Sequence, residues 1–261
     1  MNKIEVRNDL ISLEEIDDKI EIIKTKSLIS SFKIVFKEST DLEIVFEAKE
    51  ETKLSFEYEV LNNVNVNLFE IRTGLKTKIQ YKYNIKENAR LYLYRLNKAS
   101  NVRECDFANL NGENSHIEFN LRTLSSSQEK YDIYVSHNNC NTSSVVNNVG
   151  IALNGSIIFN VTGEISKGNK KSYLDQNNHI VTFNPSKNQI NPNLLVEEFD
   201  VEANHNAVIG AFDDNTLFYF MSRGINEKDA IKLLCEGLIC SNLKENYSKE
   251  KILDNIQEYW R

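Results

Sequence analysis

The chain has little of what staples, breaks or anchors a polypeptide. Two prolines and nine glycines in 261 residues exclude collagen-like repeats and Pro-rich linkers. Four cysteines do not make a disulfide framework. Cys105 and Cys140 stand alone, and Cys235 and Cys240 sit in a helical pattern with an offset that points them about 140° apart. No Cys-x-x-Cys occurs, which disfavours a cysteine zinc site. No run approaches about 18 apolar residues; the densest, IKLLCEGLIC, is interrupted by Lys232 and Glu236. The first residues, MNKIEVRNDLISLEEIDDK, carry acids early and lack the apolar stretch of a signal peptide. The expectation is a cytoplasmic protein in a reducing compartment, with no membrane partner.

A surplus of cations is also missing. Lys and Arg number 31 against 38 Asp and Glu, a net charge of −7, so neither nucleic acid nor an anionic membrane is an expected partner. The enzyme motifs GxxxxGK[ST], GxGxxG, GxSxG and HExxH are absent. Without a phosphate-binding loop the chain is not expected to hydrolyse ATP, and a non-enzymatic role follows.

What the chain does have is alternation. Phe32, Ile34 and Phe36 alternate with Lys33, Val35 and Lys37; Leu54, Phe56 and Tyr58 alternate with Ser55, Glu57 and Glu59. The same two-residue period recurs to about Ile165, the mark of half-buried strands. Asn-rich corners separate the strands, among them Asn62-Asn63, Asn88, Asn138-Asn139 and Asn147-Asn148; asparagine tolerates left-handed backbone. Such spacing fits a sandwich, a barrel or a solenoid. The scarcity of tight hairpin signals and the charged outer faces favour the solenoid, although no repeat of fixed length decides it.

The ends differ from the middle. Leu10, Leu13, Ile16 and Ile20 have the spacing of a short amphipathic helix, so residues 1–28 are expected to be partly helical. Residues 29–221 are assigned to the β-core. Within them Lys167 to Asn193, with both prolines, is polar and is expected to be a loop or distorted turn, and Leu217 to Met221 a strand. Residues 222–261 are expected to be helical. Asn226 and Ser248 are candidate N-caps, and Ala230, Leu233, Leu234 and Leu238 form one apolar stripe that seals the open end of the coil, docks a partner, or does both. Ile252, Leu253, Ile256, Tyr259 and Trp260 are the apolar residues of the second helix, with Arg261 among its polar ones.

The segment FDVEANHNAVIGAFDDNTLFYFMSRGINEKDAIKLLCEGL, residues 199–238, resembles the C-terminal signature of the SufB/SufD family of iron–sulfur cluster assembly proteins. The resemblance is carried by Asp200, Val201, His205, Gly210, Asp213, Leu217, Phe218, Tyr219, Ser222, Arg223, Gly224, Ile225, Ala230, Leu233, Leu234 and Gly237. Weaker matches in order are His137 with Thr142 and Ser143, then Phe159, Gly163 and Ile165, then Gln176-Asn177-Asn178. The resemblance implies a right-handed parallel β-helix followed by a small helical domain. It implies a scaffold that works with a SufC-type ABC ATPase, docked through the C-terminal helices at Arg223, Ile225, Leu233, Leu234 and Leu238, and with a SufB-type paralogue or a second copy of itself. It implies that His205 ligates iron or carries protons at a subunit interface, where a transient iron–sulfur cluster or iron, not stably held by this chain alone, is the expected cargo.

Two departures bear on that role. SufB-type members have a functional cysteine in a Gly-rich turn before the histidine, and the corresponding stretch here, Lys167 to Asn193, has none. Many SufD-type members have cysteine two residues before the histidine, where this chain has Ala203, and the usual glycine after it is Asn206. The resemblance therefore implies a SufD-like part rather than a SufB-like one. Bland readings stand beside the functional ones. His205 fits equally a polar solenoid corner; His116, His137 and His179 read as structural; the His137–Cys140 spacing could chelate but fits coincidence; Arg223 fits a carboxylate clasp between domains. The alternative function is a carbohydrate-binding or lyase-type β-solenoid.

Overall fold

The computed structural model describes residues 1–8, 10–14, 16–25, 30–183, 187–245 and 247–260. The chain opens with β1 (Asn2–Arg7), β2 (Leu10–Glu14) and β3 (Ile20–Thr25). Next come β4 (Ser30–Phe36), β5 (Thr40–Ala48), β6 (Thr52–Val60) and β7 (Asn65–Gly74). They lead into β8 (Thr77–Ile85), β9 (Arg90–Asn97), β10 (Arg103–Leu110) and β11 (His116–Ser125). Then follow β12 (Gln128–His137), β13 (Ser143–Ala152), β14 (Ser156–Ile165) and β15 (Ser172–Thr182). The strands end with β16 (Gln189–Val196) and β17 (Val201–Gly210). Three helices close the chain, α1 (Asp214–Met221), α2 (Glu227–Ile239) and α3 (Lys249–Ile256), with a final 3-10 turn, Gln257–Trp260.

From β4 onward the strands fall alternately into two sheets. Odd strands β5 to β17 form one and even strands β4 to β16 the other, all in parallel order. The result is a β-solenoid of about seven turns. Every inward position stacks on the equivalent position of the next turn, because parallel ladders hold adjacent strands in register about 4.8 Å apart. Phe56 stacks on Tyr81 at 5.4 Å and Tyr58 on Tyr83 at 5.3 Å. The corners repeat too. Asn63, Asn88, Asn114 and Asn141 all have φ between 53° and 62°. The side chains of the first three join in a ladder, Asn88 Nδ2 donating to Asn63 Oδ1 at 3.2 Å and Asn114 Nδ2 to Asn88 Oδ1 at 3.1 Å, while Asn141 Nδ2 donates to Glu113 Oε1 at 2.9 Å. Asparagine supplies both the left-handed backbone and the cross-turn bond.

The structure departs from the sequence expectation at three places. Leu10, Ile16 and Ile20 do not lie on a helix: β1 extends the odd sheet by pairing in parallel with β5, β2 pairs antiparallel to β1, and β3 pairs antiparallel to β4. The first turn of a solenoid leaves ladder groups unpaired, and added strands satisfy them better than a helix. The Leu13 side chain and the expected boundary at 28/29 lie outside what is described, as do Pro185 and Arg261. The polar stretch after Lys167 contains a full strand, β15, whose amides Gln176 and Asn178 turn inward and are buried. Leu217–Met221 is helical, not a strand: Asp213 caps α1, accepting from the Thr216 amide at 3.1 Å, so the helical part begins before residue 222.

Asn226 and Ser248 cap α2 and α3 as expected. These helices do not seal the end of the coil. They lie on the outer face of the odd sheet, where Phe69, Ile71, Tyr92, Tyr94, Leu124 and Ile151 form a second apolar cluster with Cys235, Ile239, Tyr247, Ile252 and Ile256. The buried stripe of α2 is Ala230, Cys235 and Ile239, while Leu233 is exposed and Leu234 and Leu238 are half-buried. Arg122 fixes the contact by donating to the Ser241 carbonyl at 2.8 Å. Tyr259 and Trp260 pack half-buried against the same cluster.

Inside the coil lies a buried ionic cluster. Arg95 is fully buried and bonds Glu70 at 3.1 Å, Asp106 at 3.0 Å, the Tyr83 hydroxyl at 2.6 Å and also Glu104. Arg72, equally buried, pairs with Glu104. The Arg95 guanidinium sits 3.9 Å from the centre of the Tyr81 ring, a cation–π contact strengthened by desolvation. Burial acts to raise the Glu104 carboxyl, but the Arg72 and Arg95 guanidiniums overcome it and hold the group below its usual range. Burial and the neighbouring Glu104 push Asp106 well above its usual range, which favours its protonated form. Removing one partner of a buried pair leaves an uncompensated charge. Glu104→Gln should therefore cost about 3–5 kcal/mol in urea unfolding, and Asp106→Asn much less; equal losses would show that Asp106 is ionised.

His137 ends β12 and is buried. Its ring nitrogens lie 2.8 Å from Thr142 Oγ1 and 2.8 Å from Ser144 Oγ. Burial pushes its pKa down to about 4. The unfolded chain therefore takes up the proton first, near pH 6.5, and stability falls as pH drops from there toward 4. Urea unfolding at pH 5 should show about 2 kcal/mol less stability from this group than at pH 7. His137→Gln should remove that part of the pH dependence; an unchanged slope would assign the loss to other groups.

Candidate functional site

The last turn of the coil is the site that the sequence points to, and the register defines it. β17 pairs with β15 so that Ala203 lies opposite Leu174, His205 opposite Gln176, Ala207 opposite Asn178 and Ile209 opposite Ile180. Leu174, Gln176, Asn178 and Ile180 all face inward and are buried. Their counterparts on β17 sit on the inward columns with no further turn above them. His205 is exposed there, at the mouth of the coil.

Toward this mouth the lumen changes from apolar to amide. Phe119, Val146, Gln176 and His205 succeed one another in one column, and Leu121, Asn148, Asn178 and Ala207 in the next. Asn148 Nδ2 donates to Asn178 Oδ1 at 2.8 Å, and Asn178 Nδ2 reaches the Asn206 carbonyl at 3.4 Å. Gln176 Nε2 donates to the Asn193 carbonyl at 3.4 Å, but Gln176 Oε1 is buried with no hydrogen-bond partner. Gly163 on β14 makes room for this arrangement. A Cβ there would come within 2.2 Å of Leu174 Cδ1 and 2.9 Å of Gln176 Nε2.

The rim of the mouth is apolar. Leu195, Val196, Val208 and Ile209 are exposed, and Phe199 is 100% exposed. Among the described residues β16 bonds only β14 and β17 bonds only β15, so each presents an unpaired ladder edge, a ready template for another chain. Among the described residues no cluster of three or more His, Cys, Asp or Glu forms a metal site. His205 is a lone imidazole beside amides, which are poor iron ligands; a metal here would need donors from elsewhere.

The residues expected to bind a partner gather near α1 and α2. α1 has no buried residue, and Phe218, Tyr219 and Met221 are exposed, as is Leu233 on α2. Gly224, at φ 83°, donates to the Met221 carbonyl at 3.0 Å and turns the chain between the helices, a left-handed position that suits glycine. Ile225 is half-buried. Arg223 clasps no carboxylate among the described residues; its guanidinium lies 4.2 Å from the centre of the Tyr219 ring. The sequence reading missed the exposed aromatic face of α1, because Leu-Phe-Tyr-Phe reads as a strand. It also missed the inward amides of β15, because polarity reads as a loop. Cys140 does not meet His137: its thiol lies 3.2 Å from the Gly168 carbonyl on the outside, while His137 faces inward.

The profile of the SUF system FeS cluster assembly, SufBD core domain, matches residues 23–238. The iron–sulfur cluster assembly protein SufD of Bacillus subtilis (strain 168) is 35% identical over 91 residues, 34% of this chain and 21% of that protein. SufD of Escherichia coli (strain K12) is 26% identical over 155 residues, 56% of this chain and 36% of that protein. A SufBD family protein of Mycobacterium leprae (strain TN) is 35% identical over 88 residues, 32% of this chain and 22% of that protein. The matches thus span a fifth to about a third of these relatives' lengths. With most of its length inside the core profile, the chain belongs to the SufBD family of the SUF iron–sulfur cluster assembly system.

Proposed function

We propose that this chain is a SufD-like scaffold subunit in iron–sulfur cluster assembly. In this reading its open last turn pairs with a SufB-type paralogue or a second copy, and its C-terminal helices dock a SufC-type ABC ATPase. The single observation that carries the proposal is the unpaired, apolar-rimmed final turn with His205 in its mouth. An edge of this kind is normally covered or blunted in a chain that works alone. Here the helices lie on the flank and leave it open.

The chemistry that follows is scaffolding, not catalysis. Iron or a nascent cluster is the cargo, and His205 would offer one imidazole toward it across the seam, with thiolates supplied by the paralogue. The chain lacks the cysteine at position 203 that many SufD-type relatives carry. ATP-driven dimerisation of the docked ATPase would pull on the helices and shift the paired chains, opening the seam to iron or sulfide. The site of action in this reading is the cytoplasm.

Two experiments test the proposal. Anaerobic reconstitution with the SufB-type partner should give a markedly lower cluster yield for His205→Ala than for wild type; equal yields would discard the histidine's role. Co-expression with the SufC-type ATPase should give a complex that Phe218→Asp combined with Leu233→Asp reduces at least tenfold. Both residues are exposed, so the fold, followed by circular dichroism, should be unchanged. A complex of undiminished yield would place the docking surface elsewhere. Point variants are cleaner than removing residues 226–261, which would uncover Phe69, Tyr92 and Tyr94.

A further inference from the structure

The outer face of the even sheet carries a row of charge that breaks the pattern of the rest of the coil. Lys53, Lys78, Arg103 and Lys130 occupy the same position on β6, β8, β10 and β12, each directly opposite the next. Elsewhere on the outer faces opposite signs meet across the turns. Lys33 lies opposite Glu57 and Glu57 opposite Lys82; Lys3 lies opposite Glu43 and Arg7 opposite Glu47. Like charges directly opposite on neighbouring strands are destabilising, and this chain has a surplus of acids with which to avoid them.

Neutralisation within the chain is incomplete. Lys130 pairs with Asp132 at 2.9 Å, and Lys78 reaches Glu51 at 3.9 Å, an acid already bonded to Lys76 at 3.1 Å. Among the described residues Arg103 has no ion-pair partner, and Lys53 shares the carboxylate of Glu51 electrostatically with Lys76 and Lys78. Lys53, Lys78 and Arg103 of this row line a groove of about 420 Å³, whose next column is Ser55, Gln80, Cys105 and Asp132. Ser55 and Gln80 are uncharged, and burial, with Asp106 and Asp132 nearby, pushes the Cys105 thiol up to about 11; Asp132, the acid of that column, is engaged by Lys130 at 2.9 Å and by Asn160 Nδ2 at 2.6 Å. The helices lie on the other sheet and leave this face open.

We infer that this groove is a binding site for a condensed phosphate chain. Neighbouring strands lie about 4.8 Å apart, so the row repeats more closely than the same-face side chains of an extended acidic peptide, which recur about every 6.7 Å. Such a peptide falls out of step with the row. Linked phosphates present closely spaced anionic oxygens, and Lys and Arg both bind them, Arg bidentately. Phe107 and Tyr134 stack at 5.2 Å on the same face, so a nucleoside triphosphate and inorganic polyphosphate are the two sources to distinguish.

The test is calorimetric titration of the full chain with sodium tripolyphosphate at low salt. Wild type should bind with an affinity that falls as salt rises, and Lys78→Glu should weaken binding at least tenfold. That same variant should raise the melting temperature of the free protein, because it replaces repulsion across two strands with attraction. Arg103→Gln, which cannot create a new ion pair, should weaken binding in the same direction and serves as the second variant. ATP in place of tripolyphosphate identifies the source: tighter binding assigns the groove to nucleotides, weaker binding to free polyphosphate. No tripolyphosphate binding by wild type, undiminished binding by both variants, or equally tight binding of an oligoglutamate of the same charge would overturn the inference.

Discussion

Everything in this molecule follows from the register of its parallel turns. Each strand is hydrogen-bonded through the backbone to the strands one turn before and one turn after, and the register sets every residue beside its equivalents, so a choice made at one position is imposed on a column. An aromatic at Phe56 is answered by Tyr81, and a left-handed corner at Asn63 by Asn88 and Asn114. The hydrophobic core runs the length of the coil, from Ile4 to Ile180. It has columns, and each column must be tolerable along its length.

That constraint explains how charge enters the interior. Glu70 and Arg95 lie opposite each other on neighbouring odd strands, while Glu104 and Asp106 face them from the even sheet. Four ionisable groups can meet in the lumen because the register brings them to one level and the guanidinium of Arg95 has donors enough to join them. A buried cluster of this kind adds little net stability compared with apolar packing. It does penalise any slip of register, since a shift by one residue would turn these charges outward and leave the partners alone. The cluster is well placed to lock the coil in phase.

How much of this was legible in the sequence depended on what each segment packs against. The middle of the chain was legible because inward Phe, Tyr and Leu alternate with outward charge. Phe32, Ile34 and Phe36 are buried as that pattern requires. Where both faces are covered, alternation disappears: in β9 the helices cover the outside, and Leu91 to Asn97 are all buried. Where the lumen is polar, as at Gln176 and Asn178, hydrophobicity carries no signal of a strand at all. The helix-like spacing of Leu10, Ile16 and Ile20 was overridden by the unpaired first turn. At the site, His205 was found only through the family signature around it. Its position over Gln176 needed the register, which no local pattern encodes.

The corners also grade the coil from one end to the other. Asn63, Asn88, Asn114 and Asn141 share one place in successive turns, but the next turn puts Lys171 there, at φ 58°. Lysine bears the left-handed strain that asparagine relieves, and its side chain has no amide to bond across the corner. Its backbone amide still bonds the Asp200 carbonyl, and the corner is held besides by Asn169 Nδ2 on the His137 carbonyl at 2.6 Å and by the Gly168 amide on Glu198 at 2.9 Å. The turn that carries His205 rests on this corner and has no turn above it, so it is the one most easily loosened. Fraying should begin at that mouth and travel inward, and the coil keeps its least rigid ring where its surface is still unclaimed.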